Sequence, residues 1–195
     1  MTRREQESEN NMNWEPLNTQ NAPEAAREVL AGAEKKYGFV PNLLGNMAHA
    51  PALLKAYLAV GELFEQSSLS PTERQVVLLA TSRKNNCEYC LAAHTVIAAM
   101  QQVPADVVEA VTNNRPIADR KLEALRRYVT ETVESRGWPS EEARRQFEKA
   151  GYTGAQALEV ILGIGMKTLS NYTNHLAGTE IDPAFAEAAA GAASE

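Results

Sequence analysis

The stretch Leu69-Ser70-Pro71-Thr72-Glu73-Arg74-Gln75-Val76-Val77-Leu78-Leu79 decides how the rest of the chain is read. By composition alone, Val76-Val77-Leu78-Leu79 passes for a buried strand. The residues before it say otherwise. Ser70 is a good N-cap and Pro71 suits the first helical position. Glu73 follows the cap by three residues, where its carboxylate can reach back to the Ser70 N–H. The segment reads as a helix.

Helical spacing recurs on both sides of it. Residues 23–37 open with Pro23-Glu24 and carry Ala26, Val29, Leu30 and Ala33 on one face. Gly38-Phe39-Val40-Pro41-Asn42 breaks the pattern, and a short apolar helix from Leu43 to Met47 follows. Pro51 starts another, whose apolar face (Leu53, Leu54, Tyr57, Leu58, Val60, Leu63) is broad. Further helices are expected over 104–112, 118–136, 140–150 and 153–176. Thr153-Gly154-Ala155-Gln156 forms a capping-box pattern at the start of the last one. No alternating apolar pattern with hairpin turns is present. The expected architecture is all-α.

A chain of 195 residues amounts to a single domain at roughly 150 residues each. We assign it to 14–185, with a disordered tail over 1–13 and an alanine-rich tail over 186–195. Apolar residues at 44% and charged residues at 23% exclude disorder throughout. A net charge of −6 without a Lys/Arg block argues against nucleic acid or an anionic membrane as partner. The best apolar run, Leu158 to Met166, is about half of a membrane span and contains Glu159 and two glycines. The N-terminus has charge but no apolar stretch behind it, as a signal peptide would. A cytoplasmic location is expected, where a neighbouring thiol pair is more often catalytic or metal-binding than structural.

That pair is the informative motif. In Asn86-Cys87-Glu88-Tyr89-Cys90-Leu91-Ala92-Ala93-His94, a helix capped by Asn86 would align Cys87, Cys90 and His94 along one side. A thiol is only a few per cent ionised at pH 7, and the thiolate is the nucleophile. A helix N-terminus favours the anion, and a histidine one turn on can relay a proton. On this reading Cys90 lies deeper, with His94 behind it, while Cys87 meets solvent at the helix mouth. The set suits two-electron thiol chemistry: Cys90 attacks a peroxide and Cys87 closes a disulfide that a dithiol partner reduces. A zinc site would need a fourth ligand from His49, His175 or a carboxylate, and structural zinc pairs favour tight knuckles. No metal and no cofactor are expected.

Leu69 to Gln75, Asn86 to Cys90 and His94 together resemble the alkylhydroperoxidase D-like branch of the carboxymuconolactone decarboxylase family. The resemblance extends through Lys36-Tyr37-Gly38-Phe39-Val40-Pro41-Asn42-Leu43 and His49-Ala50-Pro51-Ala52-Leu53-Leu54, and more loosely through Lys167 to His175. It implies an all-helical homo-oligomer with weak peroxidase or disulfide-reductase activity. It implies Cys90 as the sulfenic-acid cysteine, Cys87 as its proton donor and resolving partner, and His94 as relay base. Two positions depart from the family. Gln75 stands where a glutamate is found, and an amide can orient an imidazole or a water but carries no proton as a carboxylate does. Tyr89 stands where those members have a histidine. Slower peroxide turnover is expected. The alternatives are a decarboxylase-type reaction with His94 as acid or base, and a non-enzymatic thiol redox sensor.

Overall fold

The computed structural model describes residues 14–188. Among them are nine α-helices: α1 (Glu24–Tyr37), α2 (Asn42–Met47), α3 (Pro51–Glu65), α4 (Pro71–Lys84), α5 (Glu88–Met100), α6 (Ala105–Thr112), α7 (Arg120–Glu134), α8 (Glu141–Lys149) and α9 (Gly154–Ala177). A 3-10 turn, Pro183–Phe185, follows. No strand occurs among the described residues. The expected tail over 1–13 lies outside them, as do residues 189–195 of the expected C-terminal tail; residues 186–188 are helical.

The disputed stretch is α4, and its capping box forms as the sequence predicts. Ser70 Oγ accepts from the Glu73 N–H at 3.2 Å, and Glu73 Oε2 accepts from the Ser70 N–H at 2.8 Å. The apolar run looked strand-like because α4 has no solvent stripe. It packs against α5, α6, α7 and α9, and Gln75 through Ser82 are all buried. A helix enclosed on all sides loses the 3.6-residue alternation that normally marks it.

Around α4 the core divides into two clusters. One joins Phe64, Val76, Leu79, Leu125, Val129, Phe147, Tyr152 and Val160, with Phe147 stacked between Tyr128 and Tyr152. The other, between α1, α2, α3 and α5, joins Leu30, Leu43, Leu44, Met47, Leu54 and Tyr57 with both cysteines. The long helix α9 runs past both. Gly163 permits its closest approach, since a Cβ there would lie 2.7 Å from Phe64 Cζ and from Val77 Cγ1. Beyond that point the buried face of α9 turns polar: Lys167, Ser170, Asn171 and Asn174.

Candidate functional site

The first cysteine is placed by the way α4 ends. Asn85 is its C-cap and Asn86 takes the left-handed conformation, with φ of 54°. The Asn86 N–H reaches the Arg83 carbonyl at 3.1 Å, and the Cys87 N–H reaches the Ser82 carbonyl at 3.0 Å. This is a Schellman closure, with asparagine where glycine is usual. The next residue is already the N-cap of α5: Cys87 accepts the Leu91 N–H on its carbonyl at 3.0 Å. The expected cap at Asn86 is therefore one residue early. Asn86 closes the preceding helix instead of opening the next.

The cap brings Cys87 and Cys90 together, both as free thiols. Both are 1% exposed, so the expectation that Cys87 meets solvent is overturned. The cause is tertiary, because α2 and the segment after α9 close over the start of α5. Asp182 carries that cover: it accepts from the Tyr89 hydroxyl at 2.6 Å and from the Asn42 N–H at 3.2 Å. Tyr89, whose ring also meets Phe185 edge-on, is thereby engaged away from the sulfurs. Burial and Asp182 hold its proton more tightly than in a free phenol.

The polar face of α9 supplies the sulfurs' partners. The Asn174 amide donates to Cys87 Sγ at 3.5 Å and to Cys90 Sγ at 3.3 Å, and Ser170 Oγ lies 3.7 Å from Cys90 Sγ. The two thiols divide unequally. The neighbouring Cys90 sulfur and burial push the ionisation of Cys87 far up. Cys90 is pulled well below the ordinary thiol range by the neighbouring Cys87 thiol, against burial, with the Lys167 charge and Ser170 adding to it. Of these, only the cysteines were legible as chemistry in the sequence. Lys167, Ser170 and Asn174 follow a spacing of three and four residues on an otherwise apolar helix face. That periodic interruption was the available signal.

His94 lies on the same helix one turn beyond Cys90 and is buried. Its Nδ1 pairs with Gln75 Oε1 at 3.0 Å, and Gln75 in turn donates to Gln101 Oε1 at 3.0 Å. The amide oxygen can only accept, so this bond makes Nδ1 the protonated nitrogen and leaves Nε2 as a lone pair. Burial, then the Lys167 charge, hold the ring well below its usual basicity, and it is neutral at pH 7. Gln75 thus meets His94 as its position predicts. The other two histidines lie elsewhere: His49 Nε2 pairs with the Glu15 carbonyl at 2.9 Å, and His175 is exposed near the end of α9. Among the described residues no group of three or more His, Cys, Asp or Glu is arranged to hold a metal ion.

Residues 51–131, from the start of α3 into α7, match the model of the carboxymuconolactone decarboxylase family. That segment contains both cysteines, Gln75 and His94. Solved structures are similar over most of the chain. A peroxidase-related protein from Ralstonia eutropha JMP134, described as an alkylhydroperoxidase AhpD core, is 22% identical, covering 86% of this chain and 90% of its own, with a TM-score of 0.76. The debrominase Bmp8, as a variant bound to 2,3,4-tribromopyrrole, is 19% identical over 94% of this chain and 98% of its own, with a TM-score of 0.78. A peroxidase-related protein from Silicibacter sp. TM1040 is 18% identical over 88% of this chain and 94% of its own, with a TM-score of 0.73. At these identities the likeness is one of fold. No curated protein matches the chain in sequence.

Proposed function

We propose that this all-α chain of the alkylhydroperoxidase D-like fold is a thiol-dependent oxidoreductase that reduces a hydroperoxide, or a disulfide, through Cys90 and Cys87. The observation that carries the reading is the burial of two free sulfurs against one amide, Asn174, which donates to both. The Cys90 thiolate attacks the distal oxygen of the hydroperoxide. The O–O bond breaks, Cys90 becomes a sulfenic acid, and the departing alkoxide takes the Cys87 proton. The Cys87 thiolate then displaces hydroxide from the Cys90 sulfur, which leaves as water after protonation, and the S–S bond forms. A dithiol reductant returns both sulfurs by exchange. His94 relays protons through Nε2, and Gln75 fixes its ring. A neutral imidazole with no carboxylate behind it is a modest base, in keeping with slow turnover.

Both sulfurs are sealed, so each cycle needs the cover held by Asp182 to open. We also propose a cytoplasmic setting and a homo-oligomer. No helix among the described residues is long and apolar enough to cross a membrane. The outer face of α9 exposes Leu158, Ile161, Tyr172 and Leu176, an apolar stripe of the kind a second copy covers. Sedimentation showing only monomer would refute that assembly.

The chemistry is tested by adding one equivalent of an organic hydroperoxide to the reduced protein and locating disulfides by mass spectrometry. The wild type should lose two hydrogens as a Cys87–Cys90 bridge. Cys87→Ser should stop at a trappable sulfenic acid on Cys90, and Cys90→Ser should not react. A wild type that stays reduced sinks the proposal. Turnover of a substrate surviving both replacements would point instead to acid–base chemistry at His94.

A further inference from the structure

Lys167 is a charged feature of the site that the thiol scheme above does not use. Its side chain is 1% exposed, in the polar stripe of α9 that faces the sulfurs. Sealing an ammonium from water is strongly unfavourable unless an anion is held beside it. Other cations of the fold meet carboxylates: Lys121 pairs with Glu73 at 2.9 Å, Arg126 with Glu123 at 2.8 Å, and Lys84 with Glu134. Among the described residues, Lys167 has no carboxylate partner.

The groups that face the pair come from three helices. Cys87, Tyr89, Cys90 and His94 belong to α5, Tyr57 to α3, and Ser170 and Asn174 to α9 itself. Asp182 is engaged by Tyr89 and by the Asn42 N–H. Tyr57 is buried and holds its proton, and Cys87, buried beside Cys90, holds its own. His94 is neutral, and its Nδ1 is tied to an uncharged amide. Cys90 alone remains to carry the negative charge. It already receives the Asn174 amide at 3.3 Å, and Lys167 lies on the same buried stripe of α9 one turn before Ser170, whose Oγ is 3.7 Å from the sulfur, so that its charge favours the thiolate.

We propose that Lys167 is the counter-ion of the Cys90 thiolate, a positioning residue that keeps the resting nucleophile ionised and makes the oxidised dithiol easy to reduce. The second half follows from charge. A disulfide carries none, so oxidation leaves Lys167 alone in a dry site. Reduction restores its partner: the Cys87–Cys90 disulfide and two glutathione thiols give the Cys87 thiol, the Cys90 thiolate, one released proton and glutathione disulfide. Stabilising the reduced form in this way makes a dithiol a stronger oxidant. The inference rests on the thiol reading of the site but concerns ionisation and redox equilibrium, which are measured without any peroxide.

The test follows thiolate absorbance at 240 nm against pH in the reduced wild type, Lys167→Met, Lys167→Arg and Cys90→Ser, together with each protein's equilibrium against glutathione. The wild type should show one thiolate persisting well below pH 8, absent in Cys90→Ser. Lys167→Met should move that titration up by at least about one unit and slow alkylation at pH 7 about tenfold. It should also shift the glutathione equilibrium about tenfold toward the disulfide, and Lys167→Arg should restore most of both. A Lys167→Met protein that titrates and equilibrates like the wild type overturns the proposal. So does a wild type without thiolate below pH 8, a result that stands even if the methionine variant fails to fold. A wild type that ionises as described yet ignores hydroperoxide refutes the peroxidase reading and leaves this one intact.

Discussion

Toward its start, α9 buries Val160 and Gly163 against Phe64 and Val77, and nothing polar intrudes. Toward its end, the same buried face carries Lys167, Ser170, Asn171 and Asn174 against two thiols. The apolar end closes by area and fit, each side chain adding stability in proportion to the surface it hides. The thiol end closes by matched donors and acceptors, in which each buried polar group is tolerable only while its partner is present. On the proposed chemistry, one helix serves as core in one half and tunes the thiols in the other. Damage to the first should appear as lost stability, and damage to the second as lost reactivity.

The sharpest break of that contrast is Phe147→Ala. It removes the middle ring of the stack, whose centroids lie 4.3 and 4.5 Å from Tyr128 and Tyr152. Denaturant unfolding should show a loss of about 3–5 kcal/mol, while alkylation of Cys90 in the folded protein stays at the wild-type rate. Asn174→Ala should do the reverse. Losing the amide that serves both sulfurs should lower the Cys90 alkylation rate at pH 7 about tenfold, at the scale of a hydrogen bond to a charged group. If it leaves reactivity untouched, the division between the two ends fails.

A smaller effect separates the ends by pH. His94 is less basic folded than unfolded, so below about pH 6.5 the unfolded chain binds a proton that the folded one refuses. Stability should therefore fall as pH drops through 6.5 and down to the folded ring's own value. His94→Gln should flatten that limb in unfolding curves taken from pH 7 to 5, and an unchanged slope would contradict the buried neutral ring. Smallest is Ser70→Ala. It removes the side-chain half of the α4 capping box and should cost about 1 kcal/mol with no change in thiol reactivity.

The sequence by itself determined the helices, to within a residue or two at the ends of most, and the placing of Cys90 and His94 one turn apart on a single helix. These follow from local rules: caps, proline positions and the 3.6-residue turn act between neighbours in the chain. The pairing of His94 with Gln75, 19 residues apart on another helix, was suggested only by the family resemblance, which singles out position 75. What lay beyond it was long-range. Asp182 closes over Tyr89 from 93 residues away, and Asn174 reaches Cys90 from 84. No local signal encodes those contacts, so the sequence left Cys87 open to solvent where the fold seals it. It also drew attention to the imidazole beside the thiols and gave no sign that Lys167 would be buried on the facing helix. Burial and charge are properties of what the whole chain packs around a group, and only the tertiary structure decides them.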